Sequence, residues 1–272
     1  MLKSAFITLY LLFLFVGAVI TGSIFFTDLQ NLTGFTAFLT HLFCAFWFIY
    51  IYTMPKGNSN FVSLMVTVAA GITLLISFAS YKINGTGSLT EVYLALVAFI
   101  GWLIYNLGYA KQAKDGTGLS IGAELPDGSF TTRTDETIRL SSIKTKKLLV
   151  FHRGNWCPFC VEQQKDLNAH LDKFTSNNTA VVFISSQPPK SAFVAEGIYD
   201  LQDKDVSYGE SINISAGNIL PLGLTLFGYK SKLHQPYALL LDEQNKVMAI
   251  HKTDDYRKRP SAEYFLRYLN KA

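Results

Sequence analysis

Four apolar runs, at residues 6–26, 35–54, 61–81 and 92–110, govern what this chain can fold into. A helix rises about 1.5 Å per residue and bilayer hydrocarbon is about 30 Å thick, so each run has the length of one crossing. Within the first 110 residues only Lys3, Asp28, Lys56, Lys82 and Glu91 carry charge. The breaks between runs are short and polar: TDLQN at 27–31, PKGNS at 55–59 and INGTG at 83–87. Tyr50, Tyr52, Tyr81, Tyr93, Trp102 and Tyr105 lie towards the ends of runs, where amphipathic rings meet headgroups. A cleaved signal peptide competes for the first run, but that run is too long and three more follow it. The sequence predicts an all-α transmembrane domain of four helices over residues 1–110.

An even number of crossings puts the N-terminus, the middle loop and the exit from the fourth helix on one side. That side carries Lys3, Lys56, Lys111 and Lys114, against Lys82 on the other. The positive-inside rule then predicts a multi-pass protein, of a bacterial inner membrane, with its C-terminal domain in the cytoplasm.

From Lys111 onward the chain is charged like a soluble domain. The net charge of +4 is mild and no Lys/Arg run marks a nucleic-acid partner. KQAKDGTGLSI at 111–121 reads as a linker and residues 122–272 as a second domain. There, 147–152 and 180–184 read as buried strands. Residues 157–174 form a helix between them, with Pro158 in the first turn, where its missing N–H costs little. A short helix near 191–196 and loops follow. Runs at 237–241 and 247–251, joined by DEQNK, give a hairpin signal, and PSAE at 260–263 opens a last helix. The order implies an α/β sandwich.

At the junction of the first strand and its helix stands Trp156-Cys157-Pro158-Phe159-Cys160. A helix N-terminus carries about half a positive charge and unpaired N–H groups, which favour a thiolate. In C-x-x-C turns the pKa falls from about 8.5 to between about 3.5 and 7.5. Three cysteines are too few for a disulfide framework, so the pair is chemical rather than structural. Zinc would need two further ligands, and no second C-x-x-C or H-x-x-x-H is present, leaving inert packing as the other alternative.

This order of elements, with W-C-x-x-C after the first core strand, resembles the thioredoxin-like fold. Within it, residues 121–269 are most similar to the redoxin/peroxiredoxin-like branch, the alkyl hydroperoxide reductase and thiol-specific antioxidant family. The resemblance rests on LPD at 125–127, FHRGNWCPFC at 151–160, ISSQ at 184–187, QPY at 235–237 and DDYRKRP at 254–260. It implies Cys157 as attacking thiolate and Cys160 as resolving thiol, cycling through a Cys157–Cys160 disulfide. Typical peroxiredoxins have Pro-x-x-x-Thr/Ser-x-x-Cys here. Arg153 takes the proline place and Cys157 the threonine place, so in that register Cys160 is the peroxide-attacking residue. The resemblance further makes Pro236 the cis-proline facing the pair, with Gln235 offering backbone contacts, and Trp156 a ring flanking the sulfurs. An ordinary strand-edge proline is the alternative for Pro236.

No cofactor or metal is implied. The implied partners are a disulfide-bearing protein or a small thiol or peroxide substrate, a reducing thioredoxin or glutaredoxin system, and the lipid bilayer. A cytoplasmic site makes the enzyme a reductase; an oxidising compartment reverses it. Arg153 either lowers the thiolate pKa or binds an acidic substrate group, or else is a solvated strand-end charge. His152 reads as packed and Glu162 as solvated. Cys44 and His41 share a face of the second membrane helix and read as helix packing, not as a cofactor contact. Three functions follow: a membrane-anchored thiol–disulfide oxidoreductase, a peroxiredoxin-like thiol peroxidase, or a non-catalytic redox sensor or assembly factor.

Overall fold

The computed structural model describes residues 2–54, 60–111, 118–189, 197–218, 220 and 222–270. The expected short helix at 191–196 and most of the expected linker lie outside these. The chain divides into two compact units, one of residues 1–111 with 221–223 and one of residues 112–220 with 224–272.

The first unit holds α1 (Leu2–Thr27), α2 (Leu32–Thr53), α3 (Asn60–Asn84) and α4 (Leu89–Ile104), the last running into a π turn at Tyr105–Tyr109. All four are long and apolar enough to cross a membrane. Leu9, Phe15, Phe61 and Leu75 point outward. Small and polar side chains turn inward instead, where hydrogen bonds replace water. Trp47 Nε1 donates to Tyr105 Oη (3.1 Å) and Trp102 Nε1 to Thr67 Oγ1 (2.9 Å). At one end Asn31 Oδ1 accepts the Gly34 N–H (2.8 Å), while its Nδ2 donates to Glu91 Oε1 (2.8 Å). Glu91 Oε2 also accepts the Ser88 N–H, closing a capping box on α4. Cys44 and His41 are buried packing groups: Cys44 Sγ lies 3.9 Å from Ala98 O, and His41 Nδ1 lies 2.9 Å from Ala37 O.

The second unit has a thioredoxin-like fold. Its elements are β1 (Ser129–Thr131), β2 (Thr137–Arg139), β3 (Lys146–Phe151), α5 (Pro158–Ala169), α6 (Leu171–Ser176), β4 (Thr179–Ser185) and β5 (Ile198–Gln202). Next come α7 (Ser207–Ser211), β6 (Ser215–Asn218), α8 (Leu222–Thr225), β7 (Lys232–His234), β8 (Tyr237–Leu241), β9 (Val247–Lys252) and α9 (Ala262–Leu269). Seven strands form one sheet in the order β2-β1-β5-β4-β3-β8-β9, with β6 and β7 paired apart. β3 runs parallel to β4, and β4 to β5; β8 and β9 close the sheet as an antiparallel hairpin.

β3 is buried on both faces, and its period of two divides the core. Leu148 and Val150 pack with Leu167, Phe174, Phe265 and Leu266 under the helices. Leu149 and Phe151 pack with Phe130, Tyr208 and Ile214 on the opposite face. The single helix expected at 157–174 is two. His170, whose Nδ1 lies 2.9 Å from Asp166 O, leaves helical geometry at φ −112° and ψ 14° and starts α6 afresh.

Candidate active site

The turn from β3 to α5 carries both thiols. Gly154 makes it possible: its φ of +123° suits glycine, and a Cβ there would stand 2.6 Å from Gln187 Cγ. Gly154 O accepts the Cys157 N–H (3.1 Å), and Cys157 becomes the N-cap of α5, with Pro158 at its first position. Cys157 O then accepts from the N–H groups of Cys160 (3.0 Å) and Val161 (3.1 Å). Cys160 therefore lies in the first turn, where the helix dipole acts.

Both cysteines are free and only 1% exposed. Their environments differ. Burial, then the hydrogen bond and charge of Cys160, push the Cys157 thiol well above its ordinary range. Burial opposes ionisation of Cys160 too, but the hydrogen bond from Cys157 and the charge of Arg259 hold it well below. Arg259 Nη2 stands 3.3 Å from Cys160 Sγ. His152, buried at the end of β3, stands against the same sulfur while its Nδ1 accepts the Gly154 N–H (3.2 Å).

Arg259 is held by its own loop. Its Nη1 donates to Lys258 O (3.0 Å) and to Tyr256 O. Upstream, Arg257 grips Asp255 in a bidentate pair, Nε to Oδ1 at 2.8 Å and Nη2 to Oδ2 at 2.6 Å. Downstream, Asp166 Oδ2 accepts the Ala262 N–H (2.7 Å) and joins α5 to the start of α9. Arg153 is no solvated strand end. It is buried, and its guanidinium carbon lies 4.4 Å from the Tyr256 ring centroid and 5.0 Å from that of Trp156.

Residues 121–258 match the AhpC/TSA family. The chain belongs to the AhpC/TSA family. Among solved structures it is similar to the peroxidoxin BcpB from Mycobacterium tuberculosis, at 18% identity over 56% of this chain and 97% of that one, with a TM-score of 0.45. Reduced Prx3 from Vibrio vulnificus gives 18% identity over 56% and 99% of the two chains, with a TM-score of 0.45. AhpC from Mycobacterium tuberculosis gives 12% over 56% and 92%, with a TM-score of 0.43. No curated protein matches the chain.

Membership of the AhpC/TSA family makes this a thiol-based redox enzyme, an oxidoreductase or peroxidase. One expectation needs correction. No cis peptide bond occurs among the described residues, so Pro236 is not a cis-proline. X–Pro bonds favour trans unless something selects cis, and here the Gln235 N–H is already bonded to Ile214 O (2.8 Å) rather than offered to a substrate. Pro236 is buried and lines a crevice with Gln163, Lys258 and Arg259. The Trp156 ring lies against Arg153, and Glu162 is half-buried on α5. Among the described residues no cluster of three or more His, Cys, Asp or Glu groups has the form of a metal site.

Arg259 and Tyr256 are the site residues that the sequence reading did not single out. Both lie in the DDYRKRP stretch at 254–260 that carries part of the family resemblance, which gave neither of them a role.

Proposed function

We propose that the chain is a two-cysteine thiol peroxidase in which Cys160 attacks and Cys157 resolves, with the four apolar helices as its bilayer tether. The observation that carries this reading is the 3.3 Å approach of Arg259 Nη2 to a Cys160 sulfur only 1% exposed. A buried thiolate needs a countercharge, and a small hydroperoxide reaches it more readily than a protein disulfide does. In the cycle the Cys160 thiolate attacks the outer oxygen of ROOH, the O–O bond breaks, and RO⁻ leaves to take up a proton as ROH. Cys160 becomes a sulfenic acid. The Cys157 thiol then displaces water from it to form the Cys157–Cys160 disulfide. A dithiol reductant returns both thiols and becomes a disulfide itself.

A second reading is thiol–disulfide exchange with Cys157 attacking, favoured by its place as the N-cap of α5. Rapid mixing of the reduced protein with hydrogen peroxide separates the two. Under the peroxidase reading Cys160→Ser loses fast oxidation, while Cys157→Ser keeps the first step and accumulates sulfenic acid. Loss of the fast step in Cys157→Ser with its survival in Cys160→Ser overturns the assignment.

A further inference from the structure

The stretch after α8 presents two large apolar side chains to solvent, Leu226 at 83% and Phe227 at 81% exposed. They are not loose ends of the core. The Phe227 N–H bonds Leu224 O (3.1 Å), the Gly228 N–H bonds Thr225 O (3.1 Å), and Gly228 turns the chain at φ +82° with open space around it. The backbone of this loop is latched from behind by Gln187. Gln187 Oε1 accepts the Lys230 N–H (2.9 Å), and its Nε2 donates to Lys230 O (3.0 Å). Gln187 also packs against Gly154 of the thiol turn. An apolar tip is thereby fixed to the wall of the thiol site. Two exposed cations follow it, Lys230 and Lys232, the second also meeting Glu210 at 2.9 Å.

We propose that Leu226 and Phe227 dock this loop on the surface of the lipid bilayer. Ring and alkyl groups beside lysines match an interface of acyl chains beneath anionic headgroups. The length of chain supports the same occupant. Positions 111–121, which follow four helices long enough to cross a membrane, reach at most about 35 Å when extended. A tether that short holds the loop at an effective concentration on the order of millimolar relative to its target, so two side chains suffice for docking. The Gln187 latch then carries the thiol turn to the lipid surface. This rests on the helices spanning a bilayer, not on which cysteine attacks.

The test uses the full chain reconstituted in vesicles of phosphatidylcholine and phosphatidylglycerol with brominated acyl chains. Phe227→Trp is the reporter, read as a difference spectrum against the parent chain, and Leu226→Trp repeats it from the neighbouring position. Docking predicts that the added tryptophan emits to the blue of a solvated indole, loses most of its emission to bromine and resists aqueous iodide. Quenching by iodide and not by bromine overturns the proposal. Protection from both quenchers also overturns it, because a second copy or another protein surface then covers the loop. In a Trp156→Phe version of the parent chain, Trp47 and Trp102 report the helices separately. Bromine quenching of these two, without quenching of the added tryptophan, leaves the spanning helices standing and removes the loop.

Discussion

Arg259 Nη2 lies 3.3 Å from Cys160 Sγ across 99 residues of chain. Arg259→Ala should raise the pKa of Cys160 by about one to two pH units, since an opposite charge at this range favours the ionised form by that order. Arg259→Lys should restore part of the shift, keeping the charge but losing the fork that also grips Tyr256 O and Lys258 O. Titration of thiolate absorbance in the Cys157→Ser background, which leaves one thiol in the turn, measures both.

Gly154 and Gly122 both hold left-handed backbone, at φ +123° and +87°, but only Gly154 is crowded. Gly154→Ala should cost roughly 2–4 kcal/mol, from strain together with the approach to Gln187 Cγ. Gly122→Ala, with nothing within 4 Å of its Cβ, should cost about 1–2 kcal/mol from strain alone. Denaturant unfolding of the two variants measures the gap.

His234 is fully buried beside Phe151, with Nε2 3.5 Å from Asp203 Oδ2. Burial and then the neighbouring His152 hold its pKa down to about 3, from an ordinary 6.5. A depressed histidine stays neutral in the folded chain while the unfolded chain takes up a proton. Stability from this group is therefore complete above about pH 6.5 and falls by roughly 1.4 kcal/mol per pH unit down to about 3. Asp203, pushed up by burial, acts with the opposite sign at the acid end. Melting curves across this range should show a shallower acid slope in His234→Phe than in the parent.

Glu91 is an acceptor at both oxygens, from Asn31 Nδ2 and the Ser88 N–H. Glu91→Gln is nearly isosteric yet turns an NH₂ towards one of two donors. It should destabilise the four-helix unit by about 1–3 kcal/mol, the cost of a buried unsatisfied group. Detergent-titrated unfolding of the purified chain tests this, and near-neutrality would show that the end of the bundle admits water.

The four helices and the strands at 146–151, 179–185, 237–241 and 247–252 were legible because each is an apolar run long enough to show its period. β1, β2 and β5 were not. Ser129–Thr131 and Thr137–Arg139 have three residues each, and Ile198–Gln202 interrupts its apolar side chains with Asp200, so pairing rather than pattern makes them strands. The thiols declared themselves by spacing and by their place at a helix start. The division of labour proposed for them did not, because that proposal rests on Arg259, which only the tertiary fold brings to the sulfur. Pro236 shows the reverse case: the residue was visible, but a sequence does not carry the isomer of its X–Pro bond.

The contact between Arg259 and Cys160 also sets how hard the pair pulls electrons. In the dithiol form the guanidinium faces an anion; in the disulfide form it faces a neutral sulfur inside the same closed turn. Everything that stabilises the thiolate therefore stabilises the reduced protein over the oxidised one and raises the reduction potential of the couple. In the proposed cycle, bridging the sulfurs takes the countercharge from the half-buried Arg259 guanidinium, so the disulfide is the more readily returned to thiols by a dithiol donor.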